Sequence, residues 1–202
     1  FLMAIFITCI TFAVERLLTI SKAAGTGSLD DFLLKIKTSL TNNDINSAMQ
    51  ECHKQQGAVA SVIRSGLHVY SDMEKNTELT GEQKLLTIQK EIEETTSLEL
   101  PALEKNMWIL STIASVGTLI ALLGTVIGMI KAFSALAVDG NPNPDQLASG
   151  ISEALVNTAL GIFTSAIAII FYNLCTQKID KLTYSIDEMG YSISQTFAGR
   201  KH

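Results

Sequence analysis

The chain reads as an all-α membrane protein, with three transmembrane helices and long cytoplasmic helical extensions, that assembles as a ring. Three observations predict the membrane fold. Two uncharged apolar runs, 107–130 and 154–177, each supply the roughly 20 residues that cross a bilayer. A third apolar run, Phe1 to Val14, ends at Glu15 and Arg16. Charge is segregated as well: most of the 15 Lys and Arg and the 20 Asp and Glu fall in 15–105 and 178–202. The net charge of −5 offers no basic surface for nucleic acid.

Each element follows in order. Residues 1–22 form the first transmembrane helix. Its apolar part is short for a span, and it lacks a basic leader, a small-residue cleavage site and an initiating Met. We therefore expect a spanning helix whose beginning is lost, not a signal peptide. Residues 23–105 form a cytoplasmic helical region. Asp30-Asp31 precede an amphipathic helix carrying Phe32, Leu33, Ile36 and Leu40. Asn42-Asn43-Asp44 punctuates, Ile45 to Cys52 is a second helix, and Val59 to Met73 a third. After the turn cluster Asn76–Gly81, Leu85, Ile88 and Ile92 recur at helical spacing, and Pro101 is expected to bend or restart that helix.

Residues 106–136 are the second transmembrane helix, 137–148 a short periplasmic loop, 149–177 the third transmembrane helix and 178–202 a cytoplasmic C-terminal helix. The loop from Val138 to Gln146 holds Asp139, Asp145 and two prolines but no Lys or Arg, whereas the other flanks carry Arg16, Lys22, Lys105, Lys178 and Lys181. The positive-inside rule then puts the N-terminus outside and the C-terminus inside. Ile179, Leu182, Ile186, Met189, Ile193 and Phe197 form a seam at spacings of three and four. The preceding cytoplasmic helices can cover part of it; self-association about an axis is the expected cover.

Chemistry-bearing residues are few. Three scattered cysteines without CxxC spacing give no disulfide framework and no zinc site, and no cofactor is implied. Cys52-His53 and His68 read as ordinary residues of soluble helices. Three isolated histidines and the absence of HExxH, GxSxG and GxxxxGK[ST] argue against an enzyme.

The second and third spans hold the candidates. Gly124 and Gly128 form a GxxxG with Gly117 seven residues earlier, a pattern of close helix packing, as is Gly161. Thr118 and Thr125 lie on a neighbouring stripe; taken singly, each can simply bond to its own helix. Glu153 sits where the third apolar run begins. It either marks the polar start of a helix, favoured by the dipole, or faces a water-filled path. Asn157 and Thr158 favour the second reading because they carry polarity a turn deeper. Lys131, near the outer end of its span, can snorkel to the interface or reach Glu153.

Leu122-Leu123-Gly124-Thr125-Val126-Ile127-Gly128-Met129-Ile130 with Ala132-Phe133, and Gly150-Ile151-Ser152-Glu153-Ala154-Leu155 with Thr158-Ala159 and Gly161, resemble the two signatures of the MotA/TolQ/ExbB proton-channel family. Leu100-Pro101-x-Leu103 leading into Ile109–Ala114 is also similar, and the likeness is greatest to the ExbB and TolQ branches. One departure is Gly117-Thr118, where many relatives have Ala-Pro. The resemblance implies a homo-oligomer, a pentamer, in a bacterial inner membrane. Its pore would hold single-span helices of the ExbD/TolR type carrying an essential aspartate, with membrane lipid and a TonB-type protein as further contacts. It also implies Thr125 and Thr158 as pore hydroxyls, Glu153 as the conducting or gating carboxylate, and Thr118, Asn157 and Lys131 as pore-lining or gating residues. Val126, Leu122, Ala121 and Ala154 would supply much of the lining. The competing class is a passive membrane scaffold in which Glu153 and the threonines are dispensable.

Overall fold

The computed structural model describes residues 2–138 and 144–199. It holds seven helices among these residues: α1 Leu2–Ala23, α2 Leu29–Thr41, α3 Ile45–Gln55, α4 Gly57–Lys75, α5 Gly81–Glu104, α6 Met107–Val138 and α7 Pro144–Gly199. Three of the helical stretches are long and apolar enough to cross a membrane. The protein is an all-α membrane protein. Most of the connection expected between the second and third spans, including Asp139 and Pro142, lies outside the described residues.

The chain divides into two compact units. The first comprises residues 1–16 and 106–175. Its buried centre is made of small groups: Cys9, Ala13 and Ala168 around Leu110, with Phe12, Ile113, Phe171 and Tyr172 packed against them. Large apolar side chains such as Leu119, Leu123, Ile130 and Leu155 point outward. That arrangement suits a surface meeting lipid or other helices, and the helical backbone satisfies its own polar groups. Thr8 and Thr11 do likewise with their hydroxyls, donating to Ala4 O and Ile7 O at 2.8 Å. Arg16, expected as a flanking surface charge, is only 2% exposed and is paired with Glu15 beside it. A guanidinium is kept inside only when its donors are matched, so Arg16 belongs to the packing of α1.

The second unit comprises residues 17–105 and 176–202. Its helices start where side chains can cap them. Asp44 Oδ1 accepts from Ser47 N at 2.9 Å, and Thr80 and Gln83 form a reciprocal capping box. Asn76 Oδ1 accepts from Glu78 N at 2.8 Å and Leu79 N at 3.1 Å, which shapes the turn before α5. Helix α5 does not bend away at Pro101. The proline falls in its last turn, and the break comes at Asn106, whose φ of 62° is a left-handed helix stop.

The seam on α7 is covered from within the chain, which corrects the expectation of self-association there. Ile179, Leu182, Ile186, Met189, Ile193 and Phe197 are all buried, in the same unit as Phe32, Ile36, Ile63, Leu67, Tyr70 and Ile88. Phe197 meets Tyr70 edge-on with ring centroids 5.0 Å apart. Lys37–Glu188 at 2.7 Å and Lys181–Asp30 at 3.2 Å tie α2 alongside the same helix. Gly190, which reads as a weak point, makes room for Ile92: a Cβ there would lie 3.1 Å from Ile92 Cγ2. Cys52 is likewise core, and burial pushes its thiol up to about 12.

Candidate functional site in the α6–α7 pair

Small residues set the approach of α6 and α7, which run antiparallel within the first unit. A Cβ at Gly150 would lie 2.7 Å from Ala132 Cβ, and one at Gly128 would lie 3.2 Å from Ala154 Cβ. Further along, a Cβ at Gly161 would overlap Ala121 Cβ, and one at Gly117 would come within 2.7 Å of Ser165 Oγ. The glycines at 117, 128 and 161 therefore pack within the chain. Gly124 does not: nothing lies within 4 Å of where its Cβ would be. Ala121 and Ala154 are almost fully buried in this seam and do not face an open interior, which corrects the lining expected of them. Leu122 and Val126 are exposed.

Between these contacts the seam brings two hydroxyls together. Thr125 Oγ1 and Thr158 Oγ1 are in direct hydrogen-bond contact across the helices. Thr125 Oγ1 also reaches Ala121 O at 3.0 Å and Ala154 O at 3.3 Å, and Thr158 Oγ1 reaches Ala154 O at 3.4 Å. Two hydroxyl hydrogens thus share two carbonyls and each other. The hydrogens can be distributed in more than one way, so either oxygen can turn a lone pair or a proton towards an arriving group without titrating.

Beside the pair runs a groove of about 450 Å³. Gly124, Gly128 and Lys131 line it from α6, and Gln146, Gly150, Glu153 and Asn157 line it from α7. Glu153 and Lys131 are both exposed within the chain, and no ion pair within 4.0 Å joins them among the described residues. Asn157, half-buried, stands one turn along α7 from Glu153 and beside Thr158. Thr118 is half-buried two turns from Thr125 and is not among the groove residues. Sequence reasoning missed Ser165 and Thr164, both buried, with Thr164 Oγ1 donating to Leu160 O at 2.7 Å. The signal for Ser165 was available: it follows Thr158 by seven residues on the same helix face.

A run of paired small residues, two facing threonines and a carboxylate a turn away is the arrangement to compare with known proteins. The profile of the MotA/TolQ/ExbB proton channel family matches residues 54–188. The chain belongs to that family. The Tol-Pal system protein TolQ of Haemophilus influenzae is 37% identical over 84 residues, covering 42% of this chain and 37% of its own length. TolQ of Pseudomonas aeruginosa is 27% identical over 124 residues, covering 61% and 54%. The biopolymer transport protein ExbB of Aquifex aeolicus is 34% identical over 77 residues, covering 38% and 52%. The chain thus spans about half the length, or less, of the curated relatives it matches. Within the family it is an ExbB/TolQ-type proton-channel subunit, and the groove and hydroxyl pair are where its channel chemistry is to be sought.

Proposed function

We propose that this chain is the channel subunit of a bacterial inner-membrane machine that turns proton motive force into mechanical work at the cell envelope. It acts as a homo-oligomer, a pentamer, around single-span helices of the ExbD/TolR type. The observation that carries this reading is the Thr125–Thr158 contact with Glu153 and Asn157 on the adjoining groove. In it, the partner's carboxylate approaches the hydroxyl pair from the open side at Gly124. Glu153 takes a proton from the outer face and passes it through groove water to that carboxylate, and Thr125 and Thr158 hold the relay without ionising. A proton crossing 100 mV releases about 2.3 kcal/mol, so a few protons suffice for a conformational step. The N-terminus lies in the periplasm, residues 137–148 form the periplasmic loop, and 23–105 and 178–202 face the cytoplasm.

One observation favours the scaffold alternative: each threonine hydroxyl already has a carbonyl acceptor in its own chain. Valine at both positions decides between them, because it keeps the shape and removes the hydroxyl. In proteoliposomes holding the complex with its partner, Thr125→Val with Thr158→Val is expected to lower proton flux on the order of tenfold, the scale of one lost hydrogen bond in the path. Glu153→Gln is expected to assemble normally and abolish proton-driven work. Wild-type flux in the double valine variant would return the hydroxyls to a purely structural role.

A further inference from the structure

The groove carries one feature that the proton relay does not use. Lys131 lines the same cavity as Glu153 and Asn157, is exposed, and forms no ion pair or hydrogen bond with any described residue. An ammonium placed beside a carboxylate that it does not neutralise by contact leaves a positive charge facing whatever enters the groove. We propose that Lys131 is the charge-selective residue of the channel: it admits protons and repels metal cations.

The two kinds of ion meet that charge differently. A proton reaches Glu153 along hydrogen-bonded water; hydronium gives up its proton, water remains, and the carboxylate becomes a neutral acid. No net cation then has to rest beside the ammonium. A sodium ion cannot be neutralised in this way. It must keep its charge and exchange part of its water shell for the oxygens of Glu153, Asn157 and Gln146, all within the groove that Lys131 faces. Repulsion between unit charges a few ångströms apart is strong where water is thin and protein walls lower the dielectric. Charged rims of this kind set selectivity in pores generally. Space alone would not exclude sodium, since the groove holds about 450 Å³ and is open at Gly124.

The inference rests on the proton-channel reading, and a charge series tests it. Proteoliposomes would contain the assembled complex with its single-span partner, and a pH-sensitive and a sodium-sensitive dye would be read in the same vesicles. Wild type and Lys131→Arg are expected to pass protons and hold sodium out. Lys131→Met and Lys131→Gln are expected to raise sodium flux on the order of tenfold while proton flux persists, and Lys131→Glu to raise it further. Two neutral variants of different shape keep the result readable if one assembles poorly. Sodium-tight Met, Gln and Glu variants would overturn the proposal, as would an Arg variant that leaks like Met. A wild type that passes neither ion defeats the channel reading itself, and this proposal with it.

Discussion

The two units of this chain bury opposite kinds of residue. In the unit of residues 17–105 and 176–202, the buried side chains are large: Tyr70, Phe197, Ile36, Leu67, Ile88 and Ile186. In the unit of residues 1–16 and 106–175, they are chiefly small: Cys9, Ala13, Ala121, Ala132, Ala154 and Ala168. Leu119, Leu123, Ile130, Leu155 and Phe163 there are turned outward. Water drives the first arrangement, since removing apolar area from it is favourable. Lipid gives no such drive, so helices gain by approaching closely over small residues. The lesson is that a methyl group has opposite meanings in the two units, and single-atom changes separate them.

The largest effect is expected at Gly161, where an added Cβ would overlap Ala121 Cβ. Two rigid backbones meet there with no flexible side chain to give way. Gly161→Ala should force α6 and α7 apart, part Thr125 from Thr158 and abolish proton-coupled function. Ala121→Gly in the same chain should restore it, because the methyl then moves from one helix to the other. Assembly by size exclusion and proton flux by vesicle dye read both variants. In the other unit a Cβ at Gly66 would lie 2.8 Å from Ile92 Cγ1, the movable part of a side chain. Gly66→Ala should cost only about 1–3 kcal/mol, read as a lowered melting temperature with function retained. Equal losses at the two glycines would contradict the contrast.

Next comes a large-to-small change in the water-facing core. Phe197→Ala removes the ring packed on Tyr70 and should cost about 3–5 kcal/mol of unfolding free energy. Thermal unfolding in gentle detergent measures it. If the α7 seam were instead held chiefly by another copy, dilution would weaken wild type and variant alike; covered from within, the seam should make the loss independent of protein concentration.

These two sites also mark what the sequence could tell. Local signals were legible: the breaks at Asn42–Asp44 and Asn76–Gly81 come from residues that cap or turn the chain through their own side chains, and the apolar runs announce themselves by length. The seam from Ile179 to Phe197 was equally legible as a stripe, yet periodicity cannot say which surface covers it, and helices of the same chain do. Pro101 drew attention as a breaker while Asn106 stops the helix, because the missing donor of a proline costs little in a last turn. At the site, Thr125 and Thr158 were legible as a family signature. Their contact, and the use of Ala121 and Ala154 as packing faces, depends on the antiparallel register of two helices, which no single segment encodes.

A pH change probes the water-facing core in another way. Burial holds the Cys52 thiol up at about 12 against an ordinary 9.0, so the folded protein keeps a proton that the unfolded chain releases. Its contribution to stability is present below about pH 9 and is lost as pH rises towards 12. Cys52 should resist alkylation at pH 8 in the folded protein and react once urea unfolds it, and Cys52→Ser should flatten the fall in stability above pH 9. Fast labelling of Cys52 in folded protein at pH 8 would count against a closed core.

The smallest effects come from single hydrogen bonds between a side chain and the backbone, and here too the units differ. Asp44 Oδ1 accepts from Ser47 N, a donor at the start of α3 with no carbonyl earlier in the helix to take it. Asp44→Ala should therefore cost about 1 kcal/mol, a shift of a few degrees in melting temperature. Thr8 Oγ1 donates to Ala4 O, a carbonyl already placed to receive a helical backbone donor. Thr8→Val removes that extra bond, leaves no backbone group unpaired and presents one more methyl on an exposed apolar face, so its cost should be close to zero or slightly negative. A loss at Thr8 as large as that at Asp44 would mean that its hydroxyl meets something outside the chain, and the outward face of α1 would then be a contact surface for a polar group as well as for lipid.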